Sequence, residues 1–234
     1  LRLDRAELET IQNDNRLHWS DVVHSSSTAE GILACASERD GIIVMATGGR
    51  SRSVAIVGST AATVVSHTRR PVMLVGSGTE VSERRPIEEL VVAVNGTTAG
   101  ESICRGAIAL ADTDRFDVHF VVVVQPTPRS DDPKSDRRFG PTGDAHVYIA
   151  DLVDRYQTPG LHIEGSVIHD PPSPASGLAR MMRRRPQSVL VLGTKGRTGM
   201  ARLRHGSIAS RIVSESPVPA IMIPSIGPVA STPD

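Results

Sequence analysis

Aromatic residues are scarce in this chain: three Phe, two Tyr and one Trp make up 3% of its 234 residues. A core must therefore come from Val, Ile, Leu and Ala. Modules that stack nucleobases on exposed rings are not expected. Net charge is also missing, because 26 Lys and Arg balance 26 Asp and Glu. No overall pull toward nucleic acid or an anionic membrane follows. No apolar run is longer than Phe120 to Val124, against the roughly 20 residues that cross a bilayer. Leu1 to Asn15 is charged and amphipathic, without the apolar centre of a signal peptide. A cytoplasmic protein with no membrane or nucleic-acid partner is the expectation.

Several chemistries lack their motifs. There is no GxxxxGK[ST], no GxSxG, no HExxH, and no GxGxxG after the strand at Leu90. These gaps weigh against a P-loop NTPase, an α/β-hydrolase nucleophile, a zincin and a Rossmann dinucleotide site. His24, His67, His119, His162, His169 and His205 are scattered, so no metal site is expected. The two cysteines, Cys35 and Cys104, form no CxxC pair and sit in apolar helical patterns, which suits buried structural thiols.

What is present is a repeat. Gly41 to Arg50 (GIIVMATGGR) has a counterpart in Ser188 to Arg197 (SVLVLGTKGR). Each is followed by Gly-Ser (58–59 and 206–207), a helical pattern, and a final apolar run, 71–75 and 218–223. Gly58 and Gly206 are 148 residues apart, about one domain, so the pattern is a duplication rather than a solenoid. Continuous apolar strands imply burial on both faces, as in a parallel sheet flanked by helices.

The second copy reads in full. Strands are expected at Leu90 to Val94, Val118 to Val124, Leu161 to Ile168 and the two runs above. Helices are expected at Gly100 to Ala111 (with Ile103, Ala107, Leu110 and Ala111 inward), Ala145 to Tyr156 and Pro174 to Arg184, the last capped by Ser173. That is a doubly wound, five-stranded parallel α/β domain of order 3-2-1-4-5, here 87–226. Residues 76–86 are polar and Gly-rich, a linker; 126–144 read as a surface loop, and 227–234 as a tail. The first copy, 1–75, is incomplete. Leu1 to Asn15 and Arg16 to Val23 match the second copy's helix 145–156 and strand 161–168, but nothing matches Leu90 through Val124. Either residues upstream complete it, or this half leans on a neighbour.

The informative constellation is Gly193-Thr194-Lys195-Gly196, nine residues, then Gly206-Ser207. It follows a strand and opens a helix. Glycines let backbone approach a ligand closely, and Gly206, Ser207 and Ile208 would offer amide N–H groups to an anion. Arg197, Arg202, Arg204 and His205 make the stretch basic, which suits a polyphosphate. A plain Gly-rich turn with Ser207 as N-cap is the alternative.

At these residues the chain resembles the universal stress protein family, over 87–224 and less closely over 1–75. Its ATP-binding members share G-x-x-G, nine residues, G-[ST]. The resemblance implies an adenine nucleotide alpha-hydrolase-like fold binding ATP, with or without Mg, as a nucleotide-responsive stress regulator. It places Ala93, Asn95, Val123, Leu192, Gly193, Lys195, Gly196, Gly206, Ser207 and Ile208 on the nucleotide. Val123 would hold adenine through its backbone, and Lys195 stands where many members have histidine. Asn95 departs from the family's aspartate and brings no charge. In the first copy Ala46 replaces a glycine and only eight residues precede Gly58-Ser59, so nucleotide binding is not expected there.

No general base stands out, and slow turnover or none is expected. A slow nucleotide hydrolase and an interaction module without ligand remain as alternatives. By resemblance, final strands pair between domains or subunits. Here 71–75 would pair with 219–223, or a homodimer would form.

Overall fold

The computed structural model describes residues 27–38, 40–47, 58–79, 86–124, 145–169, 171–194 and 208–224. In chain order the elements are α1 (Thr28–Ser37), β1 (Ile43–Ala46), α2 (Ser59–His67), β2 (Val72–Val75), β3 (Glu89–Val94), α3 (Thr98–Glu101), α4 (Cys104–Asp114), β4 (Asp117–Val124), α5 (Ala145–Tyr156), β5 (Ile163–His169), α6 (Pro174–Met182), β6 (Ser188–Gly193), α7 (Ile208–Glu215) and β7 (Ala220–Ile223). They build one seven-stranded sheet of order β1-β2-β7-β6-β3-β4-β5. From β5 to β7 every neighbour pair is parallel, and this stretch is the 3-2-1-4-5 order expected from the sequence.

β1 and β2 are parallel to one another but antiparallel to the rest, because β2 joins β7 in the register Val72↔Met222, Met73↔Ile221 and Leu74↔Ala220. The two final strands named in the sequence thus meet within one chain. Gly76 and Gly78, just past β2, lie against the end of α7. A Cβ on Gly76 would stand 2.3 Å from the Val213 carbonyl oxygen. The start of the expected linker is therefore packed against the domain, and glycine there permits the approach.

Apolar side chains alternate along the strands into two layers. One face carries Val91, Val121, Leu190, Leu192, Leu74 and Met222 under α1, α2, α6 and α7. The other carries Leu90, Val92, Phe120, Val122 and Ile221 under α4 and α5. The first layer runs unbroken across the β2–β7 seam. On the second face Val44 of β1 is 63% exposed.

One helical expectation changes. The helix expected at Gly100 to Ala111 is two helices, broken after Glu101, because Thr97 caps a separate first turn. Ile103, Ala107 and Ala111 are buried as expected, and Leu110 is half-buried. Cys104 is fully buried, and burial pushes its thiol up to about 12; Cys35 is only partly buried. The Ser173 cap forms. Its Oγ accepts from the Ser176 N–H at 3.1 Å, and Ser176 Oγ accepts from the Ser173 N–H at 3.1 Å, a reciprocal cap that fixes the start of α6.

Candidate functional site

At the point where the strand order reverses, β3 has β4 on one side and β6 on the other. The β3–β6 ladder ends at Val92↔Val191, although β3 continues to Val94 and β6 to Gly193. The strands therefore diverge before either one stops. β6 follows β7 instead, with Gly193 opposite Ile223 and the Thr194 N–H donating to the Ile223 carbonyl at 3.1 Å. In open α/β sheets a crevice of this kind, outside the carboxyl ends of the strands, is where ligands bind.

Several residues named from the sequence gather around it. Ala93 and Val123 are half-buried and pack against the layer that holds Leu192, which is 5% exposed. Gly193 ends β6, and Ile208 opens α7. Lys195, Gly196, Gly206 and Ser207 lie outside the described residues, as does the side chain of Ile208.

Asn95 follows β3 directly and is exposed. Its Oδ1 accepts from the Thr97 N–H at 3.1 Å and from the Thr97 hydroxyl at 2.8 Å. Thr97 Oγ1 in turn accepts from the Gly100 N–H at 2.9 Å and caps α3. Gly96 supports the turn with a φ of 74°, open to glycine at little cost. A Cβ on Gly100 would stand 2.0 Å from Asn95 Oδ1. The carbonyl of Asn95 is thus committed to its own turn, and what it offers outward is its amide donor.

A second polar cluster went unseen in the sequence. His119 of β4 is 3% exposed, and parallel register sets it beside Glu164 of β5. Its Nδ1 lies 2.6 Å from Glu164 Oε1 and its Nε2 lies 2.7 Å from Ser166 Oγ. An ionised carboxylate only accepts, so Nδ1 carries the proton and the Ser166 hydroxyl donates to Nε2. Burial pushes the imidazole below its ordinary 6.5, against the Glu164 hydrogen bond that pulls it up. The same hydrogen bond holds the Glu164 carboxyl below 4.5. Glu89 completes the group; burial raises its carboxyl although the Arg185 guanidinium pulls it down.

The ligand atoms of Glu89, His119 and Glu164 all lie within 4.8 Å of one another, close enough to suggest a metal. Arg185 argues otherwise. Its guanidinium bonds Glu89 and approaches Glu164 Oε1 at 3.5 Å, so the cationic place is filled. The cluster also lies four residues before Val123 along β4, about 13 Å from the crevice at the usual strand rise. It is a polar core under the end of α6, remote from that site.

A cavity of about 450 Å³ opens elsewhere, between α5 and β5, lined by His146, Ile149, Val153, Asp154, Gln157 and Gly165. No described helix is long and apolar enough to cross a membrane.

Comparison with known proteins places this architecture. The family model described as the universal stress protein family matches residues 86–224. A universal stress protein from Archaeoglobus fulgidus DSM 4304 superposes with a TM-score of 0.54 at 15% identity, over 84% of this chain and 64% of its own. This chain therefore spans just under two thirds of that protein. A functionally unknown protein from Pseudomonas aeruginosa PAO1 superposes with a TM-score of 0.57 at 17% identity, over 96% of this chain and 79% of its own. Identities this low speak for the fold. No curated protein matches the chain. With the family model covering more than half its length, the chain belongs to the universal stress protein family.

Proposed function

We propose that this chain binds ATP or another adenine nucleotide in the crevice between β3 and β6 and acts as a nucleotide-responsive regulator in a stress response. The observation that carries this reading is the early divergence of β3 from β6 after Val92↔Val191. Ala93 and Leu192 lie just past that last pair, where the base and ribose would bind. Val123 on β4 would be the backbone partner of adenine. The stretch Gly193-x-x-Gly196, nine residues, Gly206-Ser207 supplies phosphate contacts where α7 begins, with Lys195 and Ile208 beside them. Asn95 donates from its amide to a ribose oxygen. It brings no charge, so a magnesium ion accompanying ATP is held by phosphates and water. Turnover is slow or absent.

On this reading the chain divides into a partial first domain (1–75), a linker (76–86), a complete domain (87–226) and a tail (227–234). The β2–β7 seam does within one chain what a homodimer contact does between two. The protein works in the cytoplasm, apart from membranes and nucleic acid.

Nucleotide content tests the proposal. Protein is purified, denatured, and its released nucleotides identified by chromatography, beside a Gly196→Ala, Ser207→Ala variant. ATP, ADP or AMP is expected with the wild type and not with the variant. ATP at about a hundred times its Kd adds about 2.7 kcal/mol of stability. An empty protein whose melting temperature ignores millimolar ATP sinks the reading. The second reading, a ligand-free interaction module, then holds. What favours it is Asn95, whose carbonyl is already spent on Thr97.

A further inference from the structure

The imidazoles of His146 and His169 stand together at the carboxyl end of the edge strand β5. His146 lies in the first turn of α5 and His169 is the last residue of β5, opposite Val124 of β4. Their Nε2 atoms are 3.1 Å apart, with ring centroids 5.3 Å apart and planes tilted by 32°. Both residues are exposed, so a cation between them would keep most of its hydration.

We infer that His146 and His169 form a chelating site for a divalent transition ion of the zinc class. Two nitrogens each about 2.0–2.1 Å from one zinc ion stand about 3.3 Å apart at a tetrahedral angle and about 2.9 Å at a right angle. The observed 3.1 Å lies between those limits. Both ligand atoms are the outer ring nitrogens, and each residue sits on a hydrogen-bonded element rather than in a loop. Imidazole nitrogen selects zinc, copper or nickel, whereas magnesium and calcium take oxygen. The site is thus separate in chemistry from any magnesium carried by a nucleotide, and it does not depend on the nucleotide proposal. Two protein ligands leave coordination positions open. His146 also lines the 450 Å³ cavity between α5 and β5. Nothing in the chain's spacing signals the pair, since the two histidines are separated by 23 residues and no short metal motif spans them.

The competing account is a single hydrogen bond, one neutral imidazole donating to the other. Titration separates the two. Tag-free full-length protein is titrated with Zn²⁺ near neutral pH by calorimetry, and in parallel by competition with a chromogenic zinc indicator. Wild type, His146→Ala, His169→Ala and His162→Ala are compared, with Mg²⁺ as a second titrant. We expect one Zn²⁺ equivalent that weakens about tenfold or more in each of the first two variants and is kept in His162→Ala, with Mg²⁺ silent. Melting curves in chelator establish that the variants are folded. Equal zinc binding in all four proteins, or none in the wild type by either readout, overturns the site and leaves the pair a hydrogen bond.

Discussion

His119 carries a consequence for stability, because its ring is held neutral inside the protein. Burial sets its pKa below the ordinary 6.5, so between the folded value and 6.5 the unfolded chain binds more protons than the native one. Stability therefore rises with pH through that window and falls as the solution is acidified. Glu164 works in the same sense at lower pH. Its folded pKa lies below 4.5, so its contribution is present above 4.5 and is lost as pH falls through the folded value. Glu89 opposes both, since a carboxyl raised above 4.5 contributes stability below 4.5 that is lost as pH rises through its folded value. The ring has the highest ordinary pKa of the three and governs the upper window. Urea unfolding from about pH 7.5 down to about pH 5 is expected to show stability dropping below 6.5, and His119→Gln is expected to flatten that drop. Gln still offers a donor to Glu164 and an acceptor to Ser166 but does not titrate. A drop of the same size in His119→Gln means that other groups set the acid limit.

The turn from β3 into α3 has a similar single dependence, on Gly100. Its ideal Cβ would lie 2.0 Å from Asn95 Oδ1 and 2.9 Å from Asn95 Cγ, so Gly100→Ala must displace that side chain and break its bonds to Thr97. A loss of about 0.5–1.5 kcal/mol, the worth of a hydrogen bond, is expected in urea unfolding, because what yields is the far end of an exposed side chain. Adding Asn95→Ala removes the clashing group and should recover some of the loss; strict additivity of the two changes would place the strain elsewhere. Elements like this mark the limit of sequence reading. Asn95 was legible as the last residue of a strand motif, and Ser173 as a cap, because each signal is local. The break after Glu101 was not, since Thr97 capping Gly100 and Ile103 facing the sheet fit one long amphipathic helix equally well. His119, Glu164 and Glu89 were illegible for a different reason. They stand on three neighbouring strands and meet only through sheet register, which leaves no spacing in the chain.

Across the whole molecule, the governing feature is that the outer edge of β7 is closed by a strand from its own chain. All four residues of β7 are buried, from Met222 at 0% to Ile223 at 5%, and three of them are paired with β2. α2 extends the same apolar layer over the seam, with Val64 and Val65 joining Ile212 and Val213 of α7. A fragment of residues 86–234 would keep the five parallel strands but present β7 as an open, flat, apolar edge, which templates pairing. β2 meets β7 antiparallel, and an antiparallel contact between two copies of one strand is self-complementary under a twofold axis. The fragment is therefore expected to dimerise through β7, with a second β7 taking the place of β2. Light scattering on a sizing column should give twice the fragment mass. Restoring β1, α2 and β2 to the chain should return it to monomer, because β2 then covers the same edge. A fragment that stays monomeric and folded would show that β7 needs no partner, and would reduce β1 and β2 from a structural half of the molecule to an appendage.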